Sequence, residues 1–190
     1  MYVKVCGITS PADARSAVAA GADAIGVILF TPSSRAVTPR RAETILSAVR
    51  GEVETVCVTT TRSPAALRRL YRLNPDAVQI YHGQRVPDRF TCIAAWDGLS
   101  NPPEDADRLL LDASHGRGIP LDLPAAEAAM CRTGHPIIVS GGLHPATVAL
   151  VIQQLDPAGV DVSSGIELRP GVKDMQLMKH FVTACRMGAV

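Results

Sequence analysis

The amino-acid sequence predicts an α/β protein folded as a closed (β/α)8 (TIM) barrel, trimmed around its fourth to sixth strand–helix units and spanning residues 1–190 as one domain. Two observations lead there. Eight short runs rich in Val, Ile and Leu recur from end to end, and their hydrophobicity is continuous rather than alternating, as in parallel strands covered on both faces. Between most of them lie helix-opening signals, in which a capping residue is followed by proline.

Taken in order, the strand runs are VKVC, AIGVILF, TVCVTT, AVQI, CIAAW, RLLLD, PIIVSG and VDVSSG. The helix openings are Ser10-Pro11, Thr38-Pro39, Ser63-Pro64 and His144-Pro145. Proline at the first helical position has no amide hydrogen to leave unpaired, and a Ser or Thr before it accepts from the next free amides. Asp13 adds a carboxylate to the first turn of the first helix, where the helix dipole favours it. Too little chain separates AVQI from CIAAW, and Trp96 from RLLLD, for full-length helices, and Asn101-Pro102-Pro103 marks an irregular connection. Eight units in 190 residues, against about 200 or more for the usual barrel, require this trimming.

Composition narrows the partners. A formal net charge of +1, with 19% charged residues, points to neither nucleic acid nor an anionic membrane surface. No apolar stretch is long enough to span a bilayer, and the N-terminus runs into a strand without a leader, so a cytoplasmic location is expected. Five widely spaced cysteines without a C-x-x-C pair argue for reduced thiols rather than disulfides or zinc. The five histidines show no metal-ligand spacing, so no metal is assigned.

A barrel carries its chemistry where the strands end at their C-termini. That rule gathers Cys6, Arg35, His82, Asp112, Ser140-Gly141-Gly142 and Ser163-Ser164-Gly165 at one mouth. In the last two loops, glycines let backbone amides approach a ligand, which suits a phosphate at the seventh and eighth strands. For the others two readings stand open at this point. Asp112, after Leu109-Leu110-Leu111, is a partly desolvated acid with a raised pKa or a structural partner. Cys6, followed by Gly7, is a buried filler or a thiol that acts as base or nucleophile if its pKa is lowered. Arg35 is a solvated loop charge or a clamp for a second anionic group. His82 and His115 face either the mouth or solvent.

These residues sit in a wider pattern. KVCGIT at the start, GADAIGVILF and SSR, then SGGLHPATV, GVDVSSGIE and GVKD resemble the phosphoribosylanthranilate isomerase family of tryptophan biosynthesis, over nearly the whole chain. The resemblance implies a (β/α)8 barrel that performs an Amadori rearrangement of N-(5-phosphoribosyl)anthranilate. It implies Cys6 as general base, Asp112 as general acid and Arg35 on the anthranilate carboxylate. Amides around Gly141, Gly142, Ser163, Ser164 and Gly165 would hold the 5-phosphate, with Asp161 near the sugar hydroxyls and His82 also at the substrate. It implies no metal, nucleotide or redox cofactor, a phosphorylated small molecule as ligand, and a homodimer or association with other enzymes of the pathway.

Three stretches depart from the family pattern. Gln79-Ile80-Tyr81-His82-Gly83 is one residue longer than the usual Q-L-H-G, SHGRGIPLDL keeps Gly116 and Gly118 but lacks the usual threonine and aromatic, and VTTTRS follows the third strand. Two other readings compete: a histidine-pathway isomerase performing the same rearrangement, and a noncatalytic barrel that only binds a phosphosugar. Cys6 in place of an aspartate, and no Gly-Gly cradle at TTTRS, weigh against the first. Cys6 and Asp112 together at strand ends weigh against the second.

Overall fold

A computed structural model describes residues 1–112 and 121–188; His115, Gly116 and Gly118 lie outside the described residues. Eight parallel strands close into a barrel in sequential order: β1 (Tyr2–Val5), β2 (Ala24–Ile28), β3 (Glu54–Thr59), β4 (Ala77–Ile80), β5 (Thr91–Trp96), β6 (Arg108–Leu111), β7 (Ile137–Val139) and β8 (Gly159–Val162). Each coincides with one of the eight apolar runs.

The helices are α1 (Pro11–Ala20), α2 (Pro39–Ser47), α3 (Pro64–Tyr71), α4 (Leu123–Met130), α5 (Val148–Leu155) and α6 (Met175–Gly188). Three of the expected openings form: Ser10, Thr38 and Ser63 accept from the amides of Asp13, Arg41 and Ala66, each with proline just inside. The fourth does not. His144-Pro145 belongs to a turn in which Thr147 Oγ1 donates to the His144 carbonyl, and α5 starts only at Val148. Histidine has no short side-chain oxygen with which to cap the following amides, so proline alone does not start the helix there. Asp122 opens α4 instead, accepting from the amide of Ala125 with Pro124 inside.

No helix follows β4 or β5. The connections bury Val86, Phe90 and Ala106 in their place, and the Phe90 ring stacks on Tyr71 of α3 at 5.4 Å between centroids. Between β8 and α6 the chain adds a hairpin, β9 (Glu167–Arg169) and β10 (Val172–Lys173). Pro170-Gly171 makes its turn, with Gly171 at φ 81 as a type II turn requires.

Every strand has two unlike faces. Outward, Val3, Val5, Ile25, Val27, Val78, Leu109, Val139 and Val160 pack under the helices. Inward, Ala24, Val56, Val58, Ala77, Ile93, Leu110 and Ile138 fill the barrel. The inward face is closed at the bottom by Tyr2, Glu54 and Arg108: Glu54 Oε2 accepts from both the Tyr2 hydroxyl and Arg108, whose guanidinium lies 4.9 Å from the Tyr2 ring centre. One step higher, Lys4 pairs in register with Asp161 across the β1–β8 seam, and Lys4 Nζ donates to Asp161 Oδ1 at 2.7 Å. Lys4 is fully buried. Among the described residues no helix is long and apolar enough to cross a membrane.

Two consequences are measurable. Lys4→Met strands the Asp161 charge in the interior, and guanidinium unfolding should show a loss of about 3–5 kcal/mol, most of it recovered in Lys4→Met/Asp161→Leu. Equal stability of the single variant and wild type would contradict the pair's role. Burial also pushes the thiols of Cys57 and Cys185 up to about 12 and that of Cys92 up to about 11. Between the ordinary thiol value of about 8.5 and these values the folded chain binds more protons than the unfolded one, so stability falls as pH rises. The melting temperature should decline from pH 8 to pH 10.5, less steeply in Cys57→Val; a rise over that range would refute the assignment.

Candidate active site

The C-terminal ends of the strands surround a cavity of about 630 Å³. Its walls include Cys6 from β1, Arg35 from the β2 loop, His82 after β4, Asp112 after β6, Gly141 and Gly142 after β7, and Asp161, Ser163 and Ser164 from β8. Of the described candidate site residues, only Gly165 stays out of the wall. A Cβ there would lie 1.9 Å from the Leu143 carbonyl oxygen, so glycine lets the β8 loop press against the β7 loop. Among the described residues no three His, Cys, Asp or Glu side chains converge as a metal site.

Cys6 points inward at the top of β1, and β2 makes room for it: a Cβ on Gly26 would stand 2.8 Å from the Cys6 sulfur. The sequence reading asked for a field that lowers the thiol pKa; the structure instead raises it. Burial is the largest influence, and Asp161 adds to it, while Lys4 and Lys173 pull the other way without overcoming it. Cys6 is therefore a thiol whose thiolate, once formed, is a strong base. Lys4 ends above its ordinary value, because Asp161 and Cys6 outweigh the burial that pulls it down.

Asp112 sits on the inward face two residues beyond Leu110, and its Oδ2 accepts from the Tyr81 hydroxyl at 3.3 Å. Gln79 Nε2 donates to the same hydroxyl at 3.3 Å. Burial raises the Tyr81 phenol, with the Asp112 charge next in effect, so it stays a neutral donor. Tyr81 escaped the sequence reading although a signal existed: the alternation along β4 turns Ala77, Gln79 and then Tyr81 inward. His82, one residue on, is exposed at the rim yet still lines the cavity.

Arg35 is not a free clamp. Its Nε and Nη2 donate to the two carboxylate oxygens of Glu167 at 2.8 and 2.7 Å. Lys173 Nζ donates to Glu167 Oε1 at 2.9 Å and to the Ser163 carbonyl at 2.9 Å. Burial pulls the Lys173 pKa below its ordinary value despite Glu167, whereas the hydrogen bonds from Arg35 and Lys173 hold Glu167 below the usual carboxylate range against burial. Nothing local in the sequence joins these groups, since Glu167 and Lys173 meet only through the hairpin and Arg35 arrives from the other end of the chain. Asp174, beside them, starts α6 by accepting from the amides of Gln176 and Leu177.

The end of the cavity formed by the β7 and β8 loops is rich in turn backbone. Gly141 and Gly142 have φ 105 and 61, and Ser163 leads into a single 3-10 turn, Ser164–Ile166. Consecutive amides in such turns make a concave donor surface suited to an anion.

Comparison with known proteins agrees with this architecture. A family model described as N-(5'-phosphoribosyl)anthranilate (PRA) isomerase matches residues 3–184. An N-(5'-phosphoribosyl)anthranilate isomerase of Methanoregula boonei is 38% identical, covering 98% of this chain and 97% of the relative. A phosphoribosyl anthranilate isomerase solved with reduced 1-(o-carboxyphenylamino)-1-deoxyribulose 5-phosphate is 30% identical at a TM-score of 0.83, covering 98% of this chain and 99% of the other. Monomers generated from the dimeric phosphoribosylanthranilate isomerase of Thermotoga maritima superpose at 0.84 with 26% identity and the same coverage. With the family match running through all eight strands and both final loops, this chain belongs to the family of N-(5'-phosphoribosyl)anthranilate isomerases.

Proposed function

We propose that the cavity converts N-(5'-phosphoribosyl)anthranilate into 1-(2-carboxyphenylamino)-1-deoxyribulose 5-phosphate, in tryptophan biosynthesis, with Cys6 and Asp112 as its proton-transfer pair. The observation that carries this reading is that a thiol on β1 and a carboxyl on β6 enter one cavity from separate sides of the barrel, with a backbone anion cradle beside them. Asp112 gives its proton to the furanose ring oxygen. The C1′–O bond breaks, and the anilino nitrogen supplies its electron pair to form the iminium. Cys6 thiolate then takes the C2′ proton, whose electrons move into the iminium to give the enolamine, and tautomerisation yields the ketone. The iminium is the electron sink, so the step needs a base and an acid and no further group.

Cys6 suits the second transfer because a thiolate disfavoured by burial is correspondingly basic, while Lys4 and Lys173 limit how far its population falls. Tyr81 donates to one oxygen of Asp112 and so helps hold the carboxyl on the inward face. The amides of Gly141, Gly142, Ser163 and Ser164 take the phosphate, and Arg35 the anthranilate carboxylate. Asp161 is already held by Lys4 through Oδ1, so it meets the sugar hydroxyls in a fixed orientation. His82 closes the rim over the bound substrate. Gly165 serves the cradle by the close packing of its two loops. The reading includes a cytoplasmic location and a homodimer, the latter supported by the dimeric Thermotoga maritima relative.

The test generates phosphoribosylanthranilate in situ and follows the loss of its fluorescence. Wild-type protein should accelerate the loss well beyond the spontaneous decay. Cys6→Ser and Asp112→Asn should each lower kcat by about 10²–10⁴-fold while keeping affinity for the reduced product. Arg35→Ala should act mainly on KM. Wild-type turnover by Cys6→Ser would remove the thiol from the mechanism, and no acceleration by wild type would remove the activity. Light scattering on a sizing column should give twice the mass of the chain, and a monomer would overturn the dimer.

A further inference from the structure

The hairpin between β8 and α6 ties together the two ends of the cavity. Glu167 on β9 and Lys173 on β10 stand opposite one another. Glu167 accepts through both oxygens from Arg35, through Oε1 from Lys173, and through Oε1 again from the Gly171 amide at 3.3 Å. Lys173, buried, holds the carbonyl of Ser163 in the anion cradle. The side chains meet over Gly7, where a Cβ would lie 2.7 Å from Arg35 Cδ, 2.8 Å from Ser163 Oγ and 3.5 Å from Lys173 Nζ. Gly7, at φ 73 directly after Cys6, is thus the floor of this cluster.

The pairing decides how Arg35 can be used. A guanidinium offers a carboxylate two bidentate edges, one through Nε and one across its two terminal nitrogens. Glu167 occupies the Nε edge, Arg35 lines the cavity, and Nη1 has no hydrogen bond among the described residues. Counting charges, Arg35 and Lys173 against Glu167 leave one net positive charge in the cluster. A side chain of arginine's length holds many rotamers when unpaired, and ordering it costs affinity. Here the ordering is complete before ligand arrives.

We infer that Glu167, braced by Lys173, is a positioning residue for carboxylate recognition: it turns the end-on edge of Arg35 toward the ligand and sets its distance from the phosphate cradle. This rests on the proposed role of Arg35 and adds the device that makes the arginine selective. The cluster then measures the span between a carboxylate and a phosphate on one small molecule, since the same hairpin holds the residues at both ends.

The experiment compares two probes by titration calorimetry: reduced 1-(2-carboxyphenylamino)-1-deoxyribulose 5-phosphate, and the same molecule with phenylamino in place of carboxyphenylamino. In wild type, the missing carboxylate should cost roughly ten- to a hundredfold in Kd, as expected for one bidentate charge-assisted contact. In Glu167→Gln that ratio should collapse to within about threefold, while affinity for the probe without the carboxylate stays close to wild type. Lys173→Met keeps the apolar stem and removes the brace, and provides a second variant should the first fail to fold; its ratio should also fall. A purely structural Glu167 would weaken both probes alike, and an unchanged ratio in either variant overturns the inference while leaving the role of Arg35 intact. If wild type itself fails to distinguish the probes, the inference falls together with the Arg35 assignment.

Discussion

The pairing of Lys4 with Asp161 is the contact on which the rest of the molecule leans. It joins the first strand to the last, residues 157 apart in the chain, at the seam where the sheet closes on itself. A lone ammonium or a lone carboxylate inside a barrel carries a desolvation cost of several kcal/mol, so each charge is tolerable only because the other strand brings its partner. Closure of the barrel and neutralisation of the pair are therefore the same event. Asp161 also lines the cavity, held by Lys4 through Oδ1, and the ammonium of Lys4 bears on the Cys6 thiol.

Charge in the site is arranged around that pair with little excess. Among the described residues, Lys4 pairs with Asp161, and Arg35 and Lys173 both pair with Glu167. A ligand with a phosphate and a carboxylate consequently meets no unpaired lysine among the described residues of the site. In the proposed reading its phosphate goes to backbone amides of the β7 and β8 loops, which carry partial positive charge without a proton to lose, and its carboxylate to Arg35.

The trimmed side of the barrel shows how separable stability and chemistry are in this fold. Where helices are missing after β4 and β5, Val86, Phe90 and Ala106 cover the outward faces of the strands. The connections need only exclude water from Ile80, Cys92 and Ala94, a task for a few apolar side chains in a loop. The mouth is unaffected, since its residues hang from inward-facing positions whose geometry the parallel ladder sets. The same alternation explains why Tyr81 meets Asp112 while His82 turns to the rim.

Local order in the chain was enough to reveal the eight strands, three of the helix starts and the ends at which polar residues collect. Those features depend on burial of continuous apolar runs and on capping of nearby amides, interactions within a few residues. The fourth expected cap failed for a local reason too, since histidine lacks the oxygen that Ser and Thr supply. Tertiary structure decided the electrostatics. Cys6 appeared in the sequence as a thiol awaiting a lower pKa, and burial raised it, because the balance among desolvation, Lys4, Lys173 and Asp161 exists only once strands from both ends of the chain are adjacent. Arg35 stands open in the sequence between a solvated loop charge and a clamp for an anion, and in the fold it is half of a bidentate pair with a residue 132 positions away. Sequence by itself determined which groups stand at the mouth; their partners, protonation and aim were decided by closure of the barrel, since pairwise forces of a few ångströms' range act only between groups that the fold has brought together.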